Sequence, residues 1–331
     1  MLPRPVLGRG TTEMPTCVIL DDYQNVALAS ADWNGLRQRI AIRVSNDTVA
    51  GDALIALLAD AEIVVMMRER TPFPAELFAA LPKLKLLVTT GMRNASIDFA
   101  AAARHGVTVC GTASAPGTTA ELTWGLIHAL MRAIPAENAN FHAGGPWQTS
   151  VGRDLRGATL GVIGLGNLGQ RVARVGVAFD MRVLGWSRSL TEETAKSLGA
   201  DRAATLHDLL KQSDIVSIHV PLNAGTRGLI GAAEFAVMKP TALLINTSRG
   251  PIVNEAALIE ALTAGRIAGA GLDVFDVEPL PGDHPLRGLP NLIATPHLGY
   301  VTQANYRAYF TGVVEDIARW LDNDPVRVIT G

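Results

Sequence analysis

An α/β fold with two doubly wound parallel sheets is predicted by three features of the sequence. Short β-branched runs alternate with helical patterns almost from end to end, the sign of βαβ units. The strand-like runs of the second half are near-continuous in apolar residues, as expected when both faces of a parallel sheet are covered. At 331 residues the chain is long enough for two domains, each with its own core.

The opening MLPRPVLGRGTTEMP is rich in Pro, Gly and Thr and lacks a continuous apolar stretch. It reads as a loose tail rather than a secretory signal, with Met14 as an alternative start. Strands are expected at TCVILDD, IRVSN, EIVVMM, LKLLVTT and VTVCG, with amphipathic helices such as GDALIALLA and SIDFAAAARHG between them. A longer helix begins near Thr118 and runs through AELTWGLIHALMRAI to Pro135. A second series of strands follows at ATLGVIGLG, MRVLGW, DIVSIHV, ALLINTS, AGAGLDV and NLIATP, with helices such as NEAALIEALTAG among them. The chain closes on the helical pattern ANYRAYFTGVVEDIARWLDND, placed to return and pack on the first unit.

Composition narrows the function. With 48% hydrophobic and 18% charged residues the chain has the apolar content of a globular protein. Its net charge is -2 and its basic residues are scattered, which argues against a nucleic-acid partner. No apolar run approaches the roughly 20 residues of a membrane span. Cys17 and Cys110 sit in expected strands without paired spacing, so neither a disulfide framework nor a cysteine metal site is expected, and a reducing cytoplasm fits. No His, Cys and carboxylate cluster has metal-ligand spacing, so no metal is expected.

GLGNLG, with Gly164, Gly166 and Gly169, follows an apolar strand and precedes the helical QRVARVGVAF. In that setting the first glycine allows the tight turn, the second a close approach of backbone to pyrophosphate, and the third close helix-strand packing. About twenty residues on, an NAD site carries an acid for the ribose hydroxyls. VLGWSRSL puts Ser187, Arg188 and Ser189 there instead. A hydroxyl and a guanidinium fork suit a 2′-phosphate, so NADP is the preferred cofactor and NAD the alternative. The plainer reading is an exposed turn.

Three ionisable residues stand at expected strand ends: Arg249 in INTSRGPIVNE, Glu278 in GLDVFDVEPL and His297 in NLIATPHLGY. Each alone has an ordinary surface explanation. Together they suit reduction of a 2-oxo acid: arginine grips the carboxylate and polarises the carbonyl, histidine gives the proton, and a carboxylate orients the imidazole.

From about Thr16 onward, LGNLG, HVPLNAGTRGLI, INTSRGPIVNEAAL, GLDVFDVEPL and TPHLGY resemble, in order and spacing, the D-isomer-specific 2-hydroxyacid dehydrogenase family. That family includes glyoxylate/hydroxypyruvate reductases and phosphoglycerate dehydrogenases. The resemblance implies that Arg249 binds substrate, Glu278 pairs with His297, and His297 is the acid/base. It places Asn167, Leu168, Val220 and Pro221 along the cofactor, with Thr226, Thr247, Ser248 and Gly299, and gives Asp273 the nicotinamide carboxamide. It implies two Rossmann-like domains: a split substrate domain, 1–115 plus 300–331, and a dinucleotide-binding domain, 116–299, inserted in it. The active site then lies in a cleft between the domains, and the protein is a homodimer through the nucleotide domain.

The sequence departs from the family in its substrate loop. Where relatives commonly read GxGxDxID, this chain has GMRNASID, Gly91 to Asp98, with Arg93 at the second glycine. Gly91 and Met92 keep the substrate-binding place; Arg93, with Asn94, is expected to add a polar contact for a substrate with a second polar group, against the plainer reading of a tolerated loop variation. Arg68 is placed near the cleft, a local ion network with Glu69 and Arg70 being an equal alternative. Trp147, in GGPWQ, matches a connector tryptophan that in some relatives reaches a neighbouring subunit's site.

The expected function is an NADPH-preferring reductase of a small 2-oxo acid, glyoxylate or hydroxypyruvate, working in either direction. The alternatives are a dehydrogenase-like corepressor or binding protein without turnover, or a phosphite dehydrogenase-type enzyme. Formate dehydrogenases carry glutamine where Glu278 stands, which argues against that activity.

Overall fold

A computed structural model describes residues 14–330 of the chain. Of the loose tail expected over residues 1–15, residues 1–13 lie outside the described residues. The chain divides into two compact units: one runs to Pro116 and resumes at Gln303, and the other is Gly117–Thr302.

The first unit carries β1 (Thr16–Ile19), β2 (Ala41–Val44), β3 (Ile63–Met66), β4 (Leu86–Thr89) and β5 (Thr108–Gly111). They form a parallel sheet in the order β2-β1-β3-β4-β5. All four residues of β3 and of β4 are buried, which is why the sequence there does not alternate. Val64, Met66 and Leu87 meet Leu54, Phe78 and Ala101 from the covering helices. The closing helix, Gln303–Leu321, belongs to this unit, and its Phe310 packs at 6.5 Å from the Trp33 ring. After it the chain runs antiparallel along the edge of β5, with Gly111 N–H donating to the Arg327 carbonyl at 3.1 Å.

The second unit carries β6 (Thr159–Ile163), β7 (Arg182–Trp186), β8 (Asp201–Arg202), β9 (Ile215–Ile218), β10 (Leu243–Asn246), β11 (Gly269–Leu272) and β12 (Leu292–Ala294). Their order is β12-β11-β10-β9-β6-β7-β8, all parallel. Both faces are covered: Val216 and Leu244 point to one core, and Ile215, Leu243 and Ile245 to the other.

One local expectation differs from the structure, and one strand had no sequence signal. The helix from Thr118 stops at Met131, not at Pro135. Ala133 turns through the left-handed region at φ 49, and a separate helix, Ile134–His142, starts with Pro135 in its first turn, where a missing N–H costs nothing. β8 is an edge strand of two exposed residues, too short for a pattern. No helix among the described residues is long and apolar enough to cross a membrane.

Candidate active site

In the second sheet the strand order reverses between β6 and β9, and ligands of such sheets lie outside the carboxyl ends of the strands at that point. A pocket of about 450 Å³ opens there. Gly164 and Gly166 enter it after β6, Ser187, Arg188 and Ser189 after β7, and Val220, Pro221 and Thr226 after β9.

The glycines are there for space. Gly164 has φ 94, and a Cβ on it would lie 2.8 Å from the His219 carbonyl oxygen. A Cβ on Gly169, the first residue of the helix Gly169–Ala178, would run into the Gly164 carbonyl. Gly166 has no atom within 4 Å of where its Cβ would be, so its backbone faces open space. A tight turn, an open backbone and a helix N-terminus suit a pyrophosphate, so the residues fit a dinucleotide. Asn167 is exposed on this turn and Leu168 caps the helix.

The ribose end has no carboxylate from β7. Arg188 is exposed, and its Nη2 donates to the Gly225 carbonyl across the mouth of the pocket. The loop that presents Gly225 is braced internally: Thr226 Oγ1 donates to the Pro221 carbonyl at 2.6 Å and accepts from Asn223 N–H at 2.9 Å, while Gly225 N–H donates to Asn223 Oδ1 at 2.9 Å. His219 lines the same pocket, and burial pushes its imidazole down to about 4, so this wall is uncharged at neutral pH.

After β11 and β12 the chain brings Glu278 and His297 together, with 2.5 Å between Oε2 and Nδ1. Glu278 Oε1 accepts from Phe275 N–H at 2.9 Å, which fixes the carboxylate. An ionised carboxylate only accepts, so Nδ1 carries the hydrogen and Nε2 is the nitrogen left to exchange a proton. The imidazole side chain is 23% exposed, enough to be reached. His297 sits at φ 54, a strained value for a residue with a side chain. Asp273 holds that turn: its Oδ1 accepts from Thr295 Oγ1 and Leu298 N–H, both at 2.6 Å, and its Oδ2 from Gly299 N–H at 2.8 Å. Burial pushes the Asp273 carboxyl up, and these three donors pull it back.

Arg249 follows β10, half-buried, with Nη1 donating to the Ser248 carbonyl at 2.7 Å. Asn246 fastens the turn, accepting from Ser248 N–H at 3.0 Å and donating to the Arg249 carbonyl at 2.9 Å. Ser248 Oγ donates to the Val220 carbonyl at 2.6 Å, which ties this turn to the wall of the nucleotide pocket.

With this geometry in view, the comparisons with known proteins decide the family. The family profile described as D-isomer specific 2-hydroxyacid dehydrogenase, NAD binding domain, matches residues 124–299. The chain belongs to that family. It is 41% identical over 265 residues to a glyoxylate reductase of Aeropyrum pernix, covering 76% of this chain and 74% of the relative. It is 38% identical to a D-3-phosphoglycerate dehydrogenase of Methanocaldococcus jannaschii over 82% of this chain, but spans about half, 52%, of that relative's length. A phosphoglycerate oxidoreductase from Vibrio cholerae O395 superposes with a TM-score of 0.88 at 38% identity, over 94% of this chain and all of that one. The protein is thus a 2-hydroxyacid dehydrogenase that works with a nicotinamide cofactor.

In this dehydrogenase the loop after β4 lies in the first unit. Gly91 has φ 92 and the Arg68 guanidinium lies against it, leaving no room for a Cβ. Arg68 N–H donates to Thr90 Oγ1 at 2.9 Å and its Nη1 to the Thr90 carbonyl at 3.2 Å. Gly91 N–H is taken by Thr112 Oγ1 at 3.0 Å. Met92 and Arg93 are exposed, and their N–H groups have no acceptor among the described residues.

One expectation is corrected. Asn94 faces inward, 4% exposed, donating to the Arg68 carbonyl at 2.7 Å and Thr89 Oγ1 at 2.9 Å and accepting from Ser96 N–H and Oγ. A buried amide must satisfy its polar atoms, so Asn94 holds the loop instead of adding a substrate contact. Asp273 is fully buried, with both carboxylate oxygens on the His297 turn. Thr247 shares a hydrogen with Thr123 at 2.9 Å. Sequence reasoning missed Asn246, Asn223 and Gly225; a signal existed only for Asn223, whose PLNAGT setting is a turn sequence.

Proposed function

We propose that the protein is an NADPH-preferring reductase that converts a small 2-oxo acid, glyoxylate or hydroxypyruvate, to the 2-hydroxy acid, the D isomer where the product is chiral. The observation that carries this reading is Arg188 at the mouth of the β6/β7/β9 pocket, where an NAD enzyme would have a carboxylate. Similarity to a glyoxylate reductase supports the substrate class.

Gly164, Gly166 and Gly169 would hold the pyrophosphate, with Asn167, Leu168, Val220 and Pro221 beside it, and Ser187, Arg188 and Ser189 would hold the 2′-phosphate. The bound nicotinamide supplies the hydride. Arg249 grips the substrate carboxylate and polarises the neighbouring carbonyl. His297, oriented through Nδ1 by Glu278, delivers a proton from Nε2 to the substrate oxygen, and takes it back in the reverse direction. By the family's pattern the Met92 and Arg93 amides of the Gly91 loop would offer donors for a carboxylate, and the Arg93 side chain would serve a further polar group. A matrix of NADH and NADPH against glyoxylate, hydroxypyruvate, phenylpyruvate and oxaloacetate tests the reading. The expected result is fastest turnover with NADPH and one of the two smallest acids. Tight NADPH binding without turnover of any acid would replace it with a binding module.

The same reading includes a homodimer through the nucleotide unit. The helix Ile134–His142 buries none of its residues, and Phe141, Trp147 and Val151 are 64%, 82% and 98% exposed. The exposed rings of Phe141 and Trp147, 6.4 Å apart, support an interface here. Light scattering should give twice the chain mass, and Phe141→Glu with Trp147→Glu should halve it.

A further inference from the structure

We propose that Gly225 is a specificity-determining residue of the cofactor site: its carbonyl pre-sets the Arg188 guanidinium over the pocket mouth, and its lack of a side chain leaves the room the guanidinium occupies. This rests on the reading of Arg188 as the 2′-phosphate ligand.

Three observations carry it. The contact itself runs from Arg188 Nη2 to the Gly225 carbonyl, between loops that follow different strands, β7 and β9. A Cβ on Gly225 would collide with both terminal nitrogens of Arg188 and lie 2.9 Å from its Cζ, although the backbone there is not left-handed and would accept alanine. The loop cannot easily give way, because Asn223, Thr226 and Pro221 lock it from within.

The kind of tether matters. Arg182, Arg43 and Arg39 of this chain are tied to Asp201, Asp60 and Asp322, which cancel their charge. Arg188 has no ion-pair partner among the described residues, and a carbonyl fixes its position while leaving the positive charge uncompensated. A guanidinium has five N–H donors, so one spent on Gly225 leaves the rest for a phosphate. Holding a long side chain in place before the ligand arrives removes part of the ordering cost of binding.

Dissociation constants for NADPH and NADH, measured by titration calorimetry on wild type, Gly225→Ala, Arg188→Ala and the double variant, test the proposal. Gly225→Ala should weaken NADPH about three- to tenfold, the size of one side chain's ordering cost, and leave NADH within about twofold. In the Arg188→Ala background the same change should do nothing further. Equal weakening of both cofactors, no weakening or tightening of NADPH, or an unchanged effect in the Arg188→Ala background overturns the proposal. If Arg188→Ala separates the cofactors and Gly225→Ala does not, only this inference fails. If Arg188→Ala itself does not separate them, the cofactor reading fails and takes the inference with it.

Discussion

The two sheets offer the same opportunity and use it differently. Each has a point where strand order reverses, between β1 and β3 in the first unit and between β6 and β9 in the second, and topology alone makes both ligand sites. In the first unit the chain fills that position itself. Asp21 Oδ2 accepts from Thr71 Oγ1 at 2.7 Å, Arg70 donates to the Asp21 carbonyl at 2.6 Å, and the Arg70 guanidinium lies 4.2 Å from the centre of the Tyr23 ring. In the second unit three glycines and a braced loop keep the position open. The strands set where a site can be; side-chain volume decides whether there is one.

That contrast can be broken by mutation. The largest effect belongs to the chemistry beside the open point: His297→Ala should lower kcat about 10²–10⁴-fold, the share of a positioned acid, with thermal unfolding little changed. Closing the cradle comes next. Gly164→Ala puts a side chain at φ 94 and against the His219 carbonyl, and should weaken NADPH by calorimetry about tenfold or more, from a strain of about 1–2 kcal/mol plus the clash.

The plug of the first unit should answer only in stability. Thr71→Val leaves the buried Asp21 carboxylate short of a donor and should cost about 1–3 kcal/mol in urea unfolding, with the NADPH dissociation constant unchanged. A comparable loss of cofactor affinity would erase the distinction between the two points.

The smallest effect lies at the amino end of the second sheet. Burial there opposes the charge of Asp214, but Lys239 at 2.7 Å and the Thr159 N–H at 2.8 Å hold its carboxyl below the usual range. A lowered folded-state value stabilises above the unfolded value and is lost as pH falls through the folded one. Lys239→Met should therefore cost at most about 1 kcal/mol at pH 7, both groups being partly solvated, and nothing once acid has protonated Asp214. Melting curves at pH 7 and at a pH well below the ordinary carboxylate range read this out.

How much of this was visible in the sequence follows from what each feature depends on. Strands β3, β4, β6 and β9 were legible because burial on both faces leaves an uninterrupted apolar run. The glycine turn was legible because its spacing is its mechanism, and the motif that pairs Glu278 with His297 led to a contact of 2.5 Å. The break at Ala133 was not, because Pro135 ends one helical pattern and begins another equally well. Asn94 was misjudged and Gly225 missed for one reason: their partners lie elsewhere in the chain, and only the folded backbone decides whether a polar group turns to the ligand or to its own support.

The central claim is that the open point of the second sheet is a site for NADPH and that Arg188 makes it so. The direct measurement is the ratio of kcat/KM for NADPH over NADH in glyoxylate reduction, in wild type and in Arg188→Ala. The account predicts a wild-type ratio above one that falls about 10–100-fold in the variant, the range for hydrogen bonds to a charged group, with the NADH value changed less than about twofold. Equal losses with both cofactors, or a wild type that prefers NADH, would contradict it.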